Sequence, residues 1–305
     1  MKLLESIGNT PLVDLERIWD PDQSGVRVQV KLEGANPGGS LKDRPACFMI
    51  QEAIKSGALK PGQTILEPTS GNTGIGMAMV AANLGYRIKL TMPACVSEER
   101  RAILLALGAE LELTPGCDRT DGAIVRARHI MENSNGEYFM PDQFRNEHNW
   151  RAHFATTAPE IWSQTAGELT ALVAGMGTTG TLMGCARYLK SRSDRVMVIG
   201  VEPDLGHRIQ GLKNMRESII PDIYRPELLS GIVPCNDADA FNTTRDLALR
   251  EGIFCGISSG AAVWGAMAVA RDLPRGSTVV AILPDRGDRY LSSQVFASKC
   301  AICPP

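Results

Sequence analysis

The chain has 305 residues, 44% hydrophobic and 22% charged, with 32 Lys and Arg against 34 Asp and Glu for a formal charge of −2. That length suits about two domains with sizeable cores, and the near-neutral balance argues against nucleic acid or an anionic membrane as main partner. No apolar run approaches the roughly 20 residues a membrane helix needs, and eight Cys are too sparse for a disulfide scaffold. The opening Met1–Ser6 lacks the pattern of a signal peptide, so a cytoplasmic location with reduced thiols is expected.

Taken in chain order, Val26–Leu32 alternates with period two and reads as a strand. Gln63–Glu67 is a second strand, followed by a Gly-rich loop and a helical run, Thr73–Leu84, with Gly85 as its stop. Tyr86–Thr91, a helix over Arg100–Leu107 and a short strand at Glu110–Leu113 continue the scheme. Leu169–Ala174, Val196–Val201 and Thr278–Leu283 are buried-strand candidates bordered by helical pattern. The alternation implies mostly parallel sheets covered on both faces by helices. The turn-rich stretch Asn133–Asn149 is the expected crossing between two such layers. Chemistry is sought in loops beyond the carboxyl ends of the strands.

Four loops carry the candidates. In Asn36–Arg44, two glycines precede Lys42 at an apparent helix start, where the helix dipole lowers an ammonium's pKa. A lysine with an accessible neutral form can make a Schiff base with an aldehyde; a solvated lysine beside a cap is the plainer reading. In Glu67–Gly74, the hydroxyls of Thr69, Ser70 and Thr73 with backbone N–H groups, Gly71 included, suit a carboxylate, and Asn72 adds an amide. A simple N-cap needs only one of them. Gly175–Thr181 matches G-x-G-x-x-G, and Glu202 lies 22 residues past Gly180, as in a dinucleotide site. The hydroxyls of Thr178, Thr179 and Thr181 favour a terminal phosphate instead, although the loop alone leaves both readings open. In Cys255–Ala262, Ser258 is a helix cap or a hydroxyl aimed at a ring nitrogen.

Together, Gly38–Arg44, Thr69–Gly74, Gly177–Thr181 and Gly256–Gly260 occur in an order that resembles the cysteine synthase (O-acetylserine sulfhydrylase) family of fold-type II pyridoxal 5′-phosphate (PLP) enzymes. Ile7–Leu12 and Asp288–Ser292 extend the match, and the double threonine with Gly252–Ser258 is similar to the cysteine synthase B branch. The resemblance implies two three-layer α/β domains with PLP in the cleft between them: a smaller one, residues 36–145, and a larger one, residues 1–35 and 146–305. It also implies roles. Lys42 holds the cofactor and acts as catalytic base, Asn72 bonds its 3′-hydroxyl, Gly177, Thr178, Thr179, Gly180 and Thr181 cradle its phosphate, and Ser258 faces the pyridine nitrogen. Thr69, Ser70, Gly71, Thr73 and Gln143 clamp the amino acid carboxylate. The implied reaction expels acetate or phosphate from O-acetyl- or O-phospho-L-serine through an aminoacrylate, to which a sulfur donor adds.

Some features depart from the pattern. Pro284 stands where the enterobacterial B-type enzymes carry cysteine, which argues against thiosulfate. Arg208, Lys213 and Arg216 resemble a branch acting on O-phosphoserine with a sulfur-carrier protein, but Lys213 stands where arginine is expected, and Lys lacks the bidentate fork. Lys213 is therefore a candidate substrate contact, and a carrier protein a candidate partner. A homodimer is implied by resemblance alone. The tail pair Cys300 and Cys303 lacks a second pair at ligand spacing, the four His are scattered, and no metal is expected. Cystathionine β-synthase or serine/threonine dehydratase chemistry, an NAD-dependent dehydrogenase and a PLP-holding scaffold without turnover are the alternatives.

Overall fold

The computed structural model describes residues 1–69 and 71–296. Ser70 and the tail with Cys300 and Cys303 lie outside the described residues. The first third of the chain runs β1 (Leu12–Asp14), α1 (Pro21–Ser24), β2 (Arg27–Leu32), α2 (Asp43–Lys55), β3 (Thr64–Pro68), α3 (Asn72–Leu84), β4 (Arg87–Pro93) and α4 (Glu98–Ala106). Next come β5 (Glu110–Thr114), α5 (Arg119–Glu132), β6 (Tyr138–Phe139), α6 (Glu147–Ala152), a π-helical turn at His153–Thr157, α7 (Ala158–Gln164), β7 (Ala171–Gly175) and α8 (Gly180–Arg192). The remainder is β8 (Met197–Pro203), β9 (Gly231–Cys235), α9 (Asp237–Arg250), α10 (Ile257–Arg271) and β10 (Thr278–Leu283).

The strands form two sheets, of order β1-β2-β10-β7-β8-β9 and β5-β4-β3-β6. All neighbours are parallel except β1, which runs antiparallel to β2 at the edge. Strand alternation decides which layer each side chain joins. Val279, Ala281 and Leu283 of β10 pack with α9 and α10, whereas Val280 and Ile282 face the core lined by α7 and α8. Both faces being buried, β10 reads as a continuous apolar run. The four-stranded sheet packs Ile65, Ile88, Leu90 and Met92 against Met49 and Ile50 of α2 and Ile75 and Met79 of α3. On its other face, Thr91 donates to the carbonyl of Ala123 in α5 at 2.9 Å.

The expected α/β architecture and every strand read from the sequence are present. The stretch Asn133–Asn149 is more than a crossing: it contains β6, which pairs with β3, before the chain enters α6. Two residues are too few to register as a periodic pattern.

One polar knot lies between the layers. Arg44, at the start of α2, bonds Glu33 through Nε at 2.7 Å and Nη2 at 2.8 Å, and Glu160 through Nη1 at 2.6 Å. Lys31 reaches Glu160 at 2.7 Å and the carbonyl of Thr10 at 2.7 Å, while Thr10 donates to Glu33 at 2.6 Å. Burial opposes the charge on Glu160, yet its bonds to Arg44 and Lys31 hold its carboxyl down to about 2. Two cations and two carboxylates balance, and the group ties the loop before α2 to β2 and α7. Removing one member strands the others in low dielectric. Arg44→Met should therefore destabilise the fold by about 3–5 kcal/mol in denaturant unfolding, and a loss under about 1 kcal/mol would contradict this role.

Candidate active site

The carboxyl ends of β2, β3, β7 and β10 lead into the loops of one cavity of about 720 Å³ between the two sheets. Lys42, Thr69, Asn72, Thr73, Gln143, Gly177, Thr178, Thr179, Thr181, Lys213 and Ser258 all line it. Gly71 and Gly180 do not line it; they shape the loops from behind. Gly71 takes φ +148°, and a Cβ on Gly180 would sit 2.1 Å from Asn149 Oδ1.

Lys42 is the N-cap of α2 and half-buried. Its ammonium pKa is lowered, as expected, but burial is the chief cause where the helix dipole was the expected one; Asp285 and Glu33 oppose the shift. Across the cavity, the loop before α8 holds three buried threonines. Thr179, N-cap of α8, takes a left-handed φ of 65°, and its buried Oγ1 has no hydrogen-bond partner within the protein. A Cβ on Gly177 would lie 2.7 Å from the carbonyl of Gly211, so only glycine lets the loops meet there. An orphaned hydroxyl at the start of a 13-residue helix fits an anionic group with many lone pairs. His153, in the π-helical turn, lies 3.4 Å from Thr181 Oγ1 and 2.9 Å from Thr157 Oγ1. Burial, reinforced by Lys42 and Arg44, keeps its pKa well below the ordinary value, so its ring is neutral.

The loop after β3 is built from local bonds. Thr69 Oγ1 accepts from Gly71 N at 3.0 Å and Gly74 N at 3.2 Å, as a capping hydroxyl does. Thr73 donates to Gln143 Oε1 at 2.6 Å, and Gln143 donates to the carbonyl of Pro68 at 2.9 Å. Beneath them, Glu67 accepts from the backbone N–H of Asp142 at 2.9 Å and of Gln143 at 3.0 Å. Asn149 joins the two halves by donating to the carbonyl of Gln143 at 2.7 Å and to Thr178 Oγ1 at 3.2 Å. Ser258 is buried in the first turn of α10.

Sequence reasoning assigned no role to Asp285, Arg289, Tyr290, Arg100 and Asn149. Asp285 Oδ2 accepts from Asn72 Nδ2 at 2.6 Å and from Tyr290 Oη at 2.7 Å, with Arg100 Nη2 at 3.8 Å. Arg289 donates to Asn72 Oδ1 at 2.5 Å, which fixes which end of that amide is which. One N–H and one lone pair of Asn72 remain for a ligand. For Asp285 and Arg289 the signal was the four charges among residues 285–289, just past Pro284 and the fully buried β10. Lys213 lines the cavity, but its ammonium is held by Asp121 at 2.8 Å, and Arg208 pairs with Asp237 at 3.1 Å. Glu202, the acid of the dinucleotide reading, accepts from the backbone N–H of Met215 at 2.9 Å.

Residues 3–285 match the family model described as pyridoxal-phosphate dependent enzyme. The chain is 49% identical over 297 residues to cysteine synthase B of Salmonella typhimurium, covering 97% of this chain and 96% of that protein. Among solved structures it superposes with TM-score 0.91 and 40% identity on cysteine synthase (OASS) from Entamoeba histolytica, covering 98% of this chain and 91% of that one. An O-acetylserine dependent cystathionine β-synthase from Helicobacter pylori gives TM-score 0.90 at 36% identity, covering 97% and 98%. The fold, the cavity and these matches place the chain in the family of pyridoxal-phosphate-dependent enzymes, to which it belongs. Within that family it stands on the cysteine synthase B branch. The dehydrogenase alternative is thereby set aside.

Burial pushes the Glu67 carboxyl up to about 8, against the two backbone bonds it accepts. Between its ordinary 4.5 and about 8, the folded chain keeps a proton that the unfolded chain has released. Stability contributed by this group is therefore full at acid pH and lost as pH rises through that window, by up to about 1.4 kcal/mol per unit. Glu67→Gln should flatten the profile measured by denaturant unfolding at acid, neutral and alkaline pH; a profile parallel to wild type would contradict it.

Proposed function

We propose that this cleft makes L-cysteine from an activated serine ester, O-acetyl-L-serine first among them, and sulfide. The observation that carries the reading is a single cavity with a desolvated lysine amine on one wall, a threonine-rich helix start on another and a hydroxyl-and-amide clamp between them. Those three groups match an aldehyde-bearing phosphate and an α-amino acid.

Bound pyridoxal phosphate supplies an electron sink for negative charge developing at the amino acid's α-carbon. Lys42 would hold the cofactor through Nζ and, once released by the substrate's amine, take the α-proton at the same atom. Burial, which lowers its pKa, favours the neutral amine that both tasks need. The Gly177–Thr181 loop, Gly180 included, would bind the phosphate, with Thr179 Oγ1 finding there the partner it lacks within the protein. Asn72, oriented by Asp285 and Arg289, would meet the ring hydroxyl. Ser258 offers the ring nitrogen a neutral hydroxyl, which does not favour the pyridinium as a carboxylate would; prompt loss of a β-substituent is then preferred to a long-lived carbanion. Thr69, Ser70, Gly71, Thr73 and Gln143 would hold the carboxylate, and their closure would exclude water.

We further propose that residues 36–145 act as the smaller, moving layer and residues 1–35 and 146–305 as the larger. All four strands of the smaller sheet fall within residues 64–139, which supports the division. A homodimer and a sulfur-carrier donor are proposals from resemblance, and a cytoplasmic setting is proposed from the eight sparse cysteines read as reduced thiols. Among the described residues, no helix is long and apolar enough to cross a membrane.

The test is to supply the PLP-loaded protein with O-acetyl-L-serine and sulfide and follow cysteine by mass spectrometry, with homocysteine replacing sulfide in a second arm. Cysteine formation well above the homocysteine adduct is expected. The reverse preference would favour cystathionine synthesis, and no product in either arm would favour a scaffold.

A further inference from the structure

Three cations that line the cleft are met by an acid within hydrogen-bond distance. Arg119 pairs with Glu217 at 3.3 Å and Arg208 with Asp237 at 3.1 Å. A third pair is Lys213 with Asp121, at 2.8 Å, and deeper in, Arg100 bonds Gln210 and stands 3.8 Å from Asp285. Lys213 stands 5.2 Å from the ring centre of Phe144, the residue after Gln143, and its backbone N–H donates to the carbonyl of Met176 at 2.7 Å. Its ammonium thus stands beside the residue that follows Gln143, its backbone adjoins the residue before Gly177, and Gln143, Phe144, Gly177 and Lys213 all line the one cavity. Asp121 is held on its other side: Oδ2 accepts from Ile219 N at 3.0 Å.

We infer that Asp121 is a specificity-determining residue, which neutralises Lys213 so that the cleft selects an uncharged acyl ester of serine over the phosphate ester. The inference rests on the cysteine synthase reading of the cleft. A phosphate monoester is close to dianionic at neutral pH, and leaving water requires charge-assisted donors that are not already committed. Here the ammonium is committed to Asp121, whose carboxylate adds repulsion of its own. An acetyl ester carries no charge on its leaving group and is indifferent to the pair.

The same ion pair joins α5 of the smaller sheet to a loop on the larger, so it could act as a mechanical tie alone. The two roles separate by experiment. In Asp121→Asn, the amide oxygen still accepts from Ile219 N–H while the negative charge is gone. The holoenzyme and this variant, with Asp121→Ser as a smaller alternative, are assayed with O-acetyl-L-serine and O-phospho-L-serine, sulfide and ionic strength held constant. The ratio of kcat/KM for the phosphate ester to that for the acetyl ester should rise about tenfold or more, mostly through KM of the phosphate ester. Adding Lys213→Met to Asp121→Asn should remove the gain. Parallel changes with both esters reveal a tie and overturn the inference, as does an unchanged or lower ratio, or loss of folding in both variants. Wild-type protein inactive with either ester would overturn the reading beneath it, a result distinct from active protein with an unmoved ratio.

Discussion

An amine proposed to work as both anchor and base must be kept from full hydration without being locked into an ion pair. Lys42 meets that constraint at the junction of the two sheets, where burial lowers its pKa while Asp285 and Glu33 pull the other way. Other features of the site follow from where that nitrogen stands. Parallel strands deliver their carboxyl ends to one side of each sheet, and placing the sheets side by side makes those ends share a cavity. The threonine-rich loop on the larger sheet and the hydroxyl-and-amide loop on the smaller can then address one small molecule from opposite directions, as the proposed phosphate and carboxylate sites require.

The supports of this arrangement are polar and buried, which makes them specific as well as costly to disturb. Arg44, two residues beyond Lys42, is fixed by Glu33 and Glu160, so the start of α2 is tied to the larger sheet. Asp285 works from the other wall, gathering Asn72, Tyr290 and, at longer range, Arg100. Asn149 links the clamp to the threonine-rich loop. The bonds from Arg44 to Glu160, Asp285 to Asn72 and Asn149 to Thr178 cross between segments far apart in the chain, so disturbance at one loop reaches the others through buried partners.

That distance also explains what the amino-acid sequence makes legible. The strands of the main sheets announce themselves because Val279 to Leu283 and their neighbours are apolar on both faces. The loops with Lys42, Asn72 and Thr178–Thr181 are legible because glycine and hydroxyl residues crowd the points where strands end. Asp285 is silent, since a carboxylate after a strand looks like any polar turn until Asn72, 213 positions away, is seen to donate to it. Lys213 is the converse: its charge is plain in the sequence, but its neutralisation by Asp121 depends on a contact 92 residues distant. The lysine's lowered pKa was anticipated from the helix start alone, whereas the fold supplies it chiefly by burial.

The central claim, that one particular amine holds the cofactor, is open to direct chemical reading. Borohydride reduction of the PLP-loaded protein, followed by proteolysis and mass spectrometry, should leave the reduced cofactor on the peptide containing Lys42 and on no other lysine. Label confined to a different lysine, or a protein that retains pyridoxal phosphate yet gives no covalent adduct on reduction, would contradict the account.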